Sequence, residues 1–167
     1  MSARELDAAG ITGPALRESY ERCRRLNAAH GKTYYLATLL LPAAKRPYVH
    51  ALYGFARYAD EIVDDLDSTL SPVEKADWLV GWGDRFLAEV EAGGSAHPVS
   101  RAVVDTVRRW DIPLSYFADF LASMRMDLTV TEYPTYDDLL RYTWGSAAVI
   151  GLQMVPVLEP VVPRELA

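Results

Sequence analysis

The chain has 167 residues, half of them hydrophobic and 24% charged, which is the size and composition of one globular domain and excludes both a disordered chain and a modular array. Seventeen basic and twenty-three acidic side chains leave a net charge of −6, the wrong sign for a surface devoted to nucleic acid. Cys23 is the single cysteine, so no internal disulfide and no CxxC motif can form, and a reducing cytoplasm is the expected compartment.

The first ten residues, MSARELDAAG, lack the apolar core of a signal peptide, and no run reaches the roughly 18 uninterrupted apolar residues of a spanning helix. Proline and glycine punctuation instead predicts seven helices in a single all-α domain over 1–167. Pro14 opens the first, which runs to Ala29; the second covers Lys32 to Leu41 and the third Ala44 to Leu66. Ser71 and Pro72 make an N-cap and N1 pair for the fourth, which ends near Gly93 and Gly94. The last three span Pro98 to Trp110, Pro113 to Asp127 and Thr135 to Val155. The β-branched patch from Leu128 to Tyr133 is too short to stand as a strand and reads as loop.

The third helix carries two stripes. Tyr48, Leu52, Phe55, Ala59, Ile62 and Leu66 recur at helical spacing and form a core face. Tyr53, Arg57, Asp60 and Asp64 stand at i, i+4, i+7 and i+11 and fall within an arc of about 60°. Asp60, Glu61, Asp64, Asp65 and Asp67 crowd the helix end with only Arg57 beside them. Like charges at i,i+4 cost about 0.2–0.5 kcal/mol a pair. Acids in the last turns also meet the negative end of the helix dipole. Spacing alone leaves two readings open, a solvated polar face or a cation site awaiting its ion. Carboxylates without paired His or Cys suit a hard ion such as Mg²⁺, which fills its remaining positions with water and phosphate oxygens. His30, His50 and His97 have no metal-ligand spacing and read as ordinary polar or partly buried residues.

The runs GKTYYLATLLLP, KRPYVHALYGFARYADEIVDD, FLASMRMDL and YPTYDDLLRYTWGSAAVIGLQMVPVL stand in this order between Tyr20 and Leu158. In that order they resemble the N-terminal half of the squalene/phytoene synthase family, in its bacterial phytoene synthase branch. The resemblance implies an isoprenoid-synthase-type helical bundle around a central cavity, here truncated to about its first seven helices. It implies Mg²⁺ as cofactor and prenyl diphosphates as substrates. The reaction would be head-to-head joining of two geranylgeranyl diphosphates to phytoene through a cyclopropyl intermediate.

Carried over residue by residue, Asp60 and Asp64 would bind the metal, Arg57 a diphosphate, and Tyr53 a passing carbocation or the diphosphate. Gly31, Lys32, Thr33 and Tyr34 match the segment that cradles diphosphate at a helix start. The GKT here is no Walker loop, because Leu26 stands where its first glycine belongs. In the seventh helix Tyr142, Ser146 and Ile150 share a face, kept low by Gly145, Ala147, Ala148 and Gly151. The pattern fits close helix packing, and the resemblance assigns the face to a hydrocarbon channel. Met124 and Met126 match a family run but read as core filler. Glu61 and Ser123 replace a frequent aspartate and a frequent glycine of the family.

The family's second aspartate-rich motif has no counterpart after Asp67, so the 167-residue chain is expected to show little or no synthase activity alone. A half-open cavity should promote self-association, and greasy substrates are compatible with peripheral membrane contact although no basic amphipathic helix argues for it. The same acids would serve a squalene-type synthase acting on farnesyl diphosphate. A non-catalytic helical assembly protein would show decay of the acidic cluster, and Arg57, Asp60 and Asp64 are all in place.

Overall fold

The computed structural model describes residues 2–64 and 69–161. Among them are nine α-helices, one π turn and no strand: α1 (Ser2–Ala8), α2 (Pro14–His30), α3 (Lys32–Thr38), α4 (Arg46–Asp64), α5 (Pro72–Ala92), α6 (Ser100–Trp110), α7 (Leu114–Asp127), α8 (Tyr136–Thr143), the π turn (Trp144–Ala148) and α9 (Val149–Leu158). Asp65 and Leu66 of the expected third helix, and Asp67 after it, lie outside the described residues.

Helix α4 is the hub. Tyr48, Leu52, Phe55 and Ala59 of its apolar stripe are buried, and the helix packs on α2, α5, α6, α7 and α9. Phe55 sits inside a ring cluster, 4.9 Å from Trp82, 4.6 Å from Phe86 and 5.1 Å from Phe117, separations at which aromatic pairs add about 0.5–1.5 kcal/mol beyond area burial. Gly54 lets α2 come close: a Cβ there would fall 2.8 Å from Cys23 Cβ and 3.0 Å from its Cα. Burial pushes the Cys23 thiol up to about 12, so this cysteine packs as a small apolar residue.

Helix ends follow local rules. Ser71 and Glu74 form a reciprocal capping box at the start of α5, and Gly93 ends it at φ 83°, donating to the Glu89 carbonyl at 2.9 Å. Two elements differ from the sequence expectation. Helix α1 precedes the predicted first helix; it is short, but it docks through Leu6 and a buried Glu5 that pairs with Arg46 at 2.9 Å. The predicted helix from Thr135 to Val155 is instead α8, a π turn and α9, the last running past Pro156 to Leu158. The expectation of seven helices is corrected accordingly. Among the described residues no helix is long and apolar enough to cross a membrane.

His50 is buried on α4, with Nδ1 3.0 Å from Asn27 Nδ2 and its ring stacked on Tyr35 at 5.6 Å. Asn27 donates there only if the imidazole is neutral at Nδ1. Burial, then Arg24 and also Arg46, lower its pKa to about 4 against the opposing pull of Glu21. Between that value and the ordinary 6.5 the unfolded chain takes up a proton that the folded protein refuses. Stability therefore rises with pH across this window and is lost as pH falls through it, by about 3 kcal/mol in total. Urea unfolding across the window should show this slope in the parent and a flatter profile in His50→Gln.

Candidate active site at the cavity mouth

Because the apolar stripe of α4 is fixed in the core, its polar stripe must face the opposite way. Tyr53, Arg57 and Asp60 line a cavity of about 180 Å³ together with Phe120 and Met124 of α7 and Ser146, Ile150 and Met154. A second cavity, of about 420 Å³, shares Tyr34, Ser146, Ile150 and Met154 with the first and continues past Leu41, Val49 and Gly151. The arrangement is an apolar chamber with charge at one end.

At that end Arg57 Nη1 donates to Asp60 Oδ2 at 3.3 Å. Arg57 Nε lies 3.5 Å from Glu61 Oε1, an ion pair without hydrogen-bond geometry, which leaves that buried N–H without a hydrogen-bond partner. Glu61 also meets His30 Nε2 at 3.3 Å, so α2 braces the arginine through Glu61. The acids are therefore opposed by more than Arg57. Lys75 of α5 donates to the Val63 carbonyl at 3.1 Å, placing a cation at the negative end of the α4 dipole.

Asp60 is half-buried. Its carboxyl is held above the usual range first by burial and then by the charge of Asp64, while Arg57 pulls it down and Asp127 adds to the rise. Burial likewise raises the Tyr53 phenol. A carboxyl raised by the charge of a neighbouring carboxylate is poised for a shared cation. The all-oxygen character of the pair fits Mg²⁺, with its other positions left for water and phosphate oxygens. No group of three or more His, Cys, Asp or Glu side chains among the described residues is placed to hold a metal.

The glycine-led segment reaches the site by contact with Tyr53. A Cβ at Gly31 would fall 2.6 Å from Tyr53 Cζ and 2.5 Å from Asn27 Oδ1, so only glycine lets the ring lie against this turn. Tyr34 is exposed, lines both cavities and sits 6.0 Å from the Tyr53 ring. Lys32 and Thr33 are exposed at the start of α3 and are not among the residues lining the two cavities.

Ser146, Ile150 and Gly151 take the wall positions expected for them. Tyr142 is not among the residues lining the two cavities, although its hydroxyl contacts the Ser146 side chain. The π turn at Trp144–Ala148 adds a residue to one turn and so rotates α8 about the helix axis relative to α9. Tyr142 instead donates to Asp127 Oδ2 at 3.1 Å and packs on Tyr133 at 5.2 Å. Burial, then Asp127, push its phenol up to about 12, while a contact with the Ser146 hydroxyl opposes the rise.

Sequence spacing missed the wall residues Phe120 and Met154. It also read Met124 as core filler only, whereas Met124 is both buried and part of the wall. No local pattern separates a cavity wall from a core face, since both are apolar stripes.

The fold places the chain in a class. The structure of squalene synthase HpnC from Alicyclobacillus acidocaldarius matches 93% of this chain and 57% of that one, with a TM-score of 0.79 at 25% identity. A dehydrosqualene synthase matches 85% of this chain and 48% of that one, with a TM-score of 0.74 at 25% identity. This is an all-α protein with the squalene-synthase type of fold. Sequence narrows the class: the model for squalene/phytoene synthase matches residues 27–167. The phytoene synthase of Arthrospira platensis is 37% identical over 151 residues, 90% of this chain and 48% of that protein. The 15-cis-phytoene synthase of Synechococcus elongatus is 36% identical over 144 residues, 86% of this chain and 46% of that protein. The chain belongs to the squalene/phytoene synthase family, and it spans about half the length of the curated relatives it matches.

Asp64→Asn removes the charge that raises the Asp60 carboxyl, so the Asp60 pKa should fall. A carboxyl ¹³C titration checks this, and an unchanged Asp60 curve would show that the two side chains do not sense each other.

Proposed function

We propose that this chain provides the first half of the site of a head-to-head prenyltransferase that condenses two geranylgeranyl diphosphates to phytoene by way of a cyclopropyl diphosphate. The observation that carries the reading is one geometry: an apolar chamber lined by Tyr34, Phe120, Met124, Ile150 and Met154 whose end is closed by Arg57 and Asp60. A long hydrocarbon with an anionic head fits such a shape, its chain in the chamber and its diphosphate at the charge.

Each residue has work there. Arg57 offers a planar fork to diphosphate oxygens, and its Nε–H, buried without a hydrogen-bond partner, gains in strength from partial desolvation. Asp60 and Asp64 are the carboxylates that would hold Mg²⁺, which when bound supplies positive charge to a diphosphate leaving group. Gly31, Lys32 and Thr33 add the exposed start of α3 as a second anion contact, with Lys32 as a point charge. In the first half-reaction the allylic C–O bond breaks with its electron pair leaving on diphosphate. The cation then adds to the double bond of the second substrate, and loss of a proton closes the cyclopropane. A second ionisation, rearrangement and proton loss give phytoene. Tyr53 and Phe120 line the chamber alongside Arg57 and Asp60, and aromatic quadrupoles there favour a cation. Apolar side chains from α7 and α9 supply part of the dry wall that such a cation needs.

Curated relatives named phytoene synthase favour the C20 substrate. A second reading, a squalene-type synthase using farnesyl diphosphate, is favoured by the names of the solved structures; the acids serve both and chamber depth divides them. Large apolar side chains, Leu36, Leu40 and the cavity-lining Leu158 among them, are exposed. They supply the surface on which the rest of such a site, or a second copy, would pack.

In a synthase that carries these residues within its complete length, Asp60→Ala and Arg57→Ala should each lower phytoene formation from geranylgeranyl diphosphate by about a hundredfold or more. Product quantitation by liquid chromatography checks this. Retained activity in Asp60→Ala would remove the metal role, and faster turnover of farnesyl diphosphate would favour the second reading.

A further inference from the structure

Asp119, Ser123 and Asp127 follow one another at intervals of four and so form a row down one face of α7. Each grips the segment that runs from α8 into the π turn. Asp127 Oδ2 accepts from the Tyr142 hydroxyl at 3.1 Å. Ser123 Oγ donates to the Tyr142 carbonyl at 3.2 Å. Asp119 Oδ2 accepts from Trp144 Nε1 at 2.9 Å. Within this row Gly145 is pressed onto α7: a Cβ there would collide with Ser123 Oγ and lie 2.5 Å from the Asp119 carbonyl.

A π turn is poorer than regular helix and persists only where its surroundings favour it. Here those surroundings are identifiable. Ser123 is buried, and a buried hydroxyl must be satisfied; its partner is a backbone carbonyl two residues before the turn. From within the turn onward Ser146, Ile150 and Met154 fall at intervals of four and line both cavities. Before it Tyr142 lines neither. The turn is thus the point from which this helix begins to line the chamber, while the turn and α9 both stay packed on α7.

We propose that the Asp119–Ser123–Asp127 row is a positioning device that pins the π turn to α7 and so sets Ser146 and Ile150 as the chamber wall, with Ser123 as its central residue. Ser123 lines neither cavity and acts through the backbone of Tyr142. Its identity therefore governs the shape of the wall that meets the hydrocarbon, while the charged end with Arg57 and Asp60 is untouched. What the wall receives rests on the prenyl diphosphate reading above; the pinning of the turn does not.

Two measurements on this chain test the two parts. In Ser123→Ala and in Asp119→Ala, amide hydrogen exchange over Trp144–Ala148 should quicken by about tenfold, the effect of one lost hydrogen bond, with α2 and α4 unchanged. Unaltered exchange over the turn in both variants overturns the proposal. Titration with farnesyl thiodiphosphate and with inorganic diphosphate, each with Mg²⁺, then separates wall from charge. Ser123→Ala should weaken the prenyl probe by about tenfold and leave inorganic diphosphate as in the parent. An equal loss for both probes, or no loss for either, overturns the assignment of Ser123 to the wall. A parent chain that binds neither probe counts against the prenyl diphosphate reading alone, and the exchange rates still decide whether the row holds the turn.

Discussion

Helix α4 can bury one side and turn the other toward a chamber only because α2 approaches it at glycine distance. Cys23 and Gly54 meet where any Cβ on α4 would fall 2.8 Å from a side chain, and that contact fixes the rotation of α4 about its own axis. Once Tyr48, Leu52, Phe55 and Ala59 are committed to the core, the positions of Tyr53, Arg57 and Asp60 are set by helical geometry alone. The aromatic cluster around Phe55 locks the same rotation from the opposite side. Site and core are therefore two faces of one packing decision.

The charge at the end of α4 is tolerated through contacts from other helices. His30 from α2 meets Glu61, Glu61 meets Arg57, and Lys75 from α5 meets the Val63 carbonyl in the last turn of α4. The charge these contacts leave uncompensated is specific. Asp60 is still held up by the charge of Asp64, and one N–H of Arg57 has no hydrogen-bond acceptor. A carboxylate pair short of positive charge, next to a guanidinium short of an acceptor, is complementary to a metal-bearing diphosphate. A site needs such residual incompleteness if its ligand is to complete it.

Much of this was legible in the sequence, and the rest was hidden for physical reasons. The two stripes of α4 could be read because both obey the helical period over four turns. The capping box at Ser71 and the left-handed Gly93 could be read because helix ends use local chemistry. Helix α1 was missed because seven residues carry too little periodicity, and its stability comes from docking Glu5 and Leu6 on distant partners. The π turn was missed because its cause is Gly145 meeting Ser123 and Asp119 of another helix, a contact between residues more than twenty positions apart. The resemblance carried by the ordered motifs located the family correctly, and it did so without showing which acids are braced and which remain free.

The central claim is that Asp60 and Asp64 form one cation site at the mouth of the chamber. Paramagnetic broadening by Mn²⁺ in the presence of inorganic diphosphate reads this directly from carboxyl ¹³C signals. The Asp60 and Asp64 signals should vanish at a metal concentration that leaves Glu74, Asp137 and Asp138 sharp. Broadening spread evenly over surface carboxylates, or confined to the α8 pair, would contradict the account.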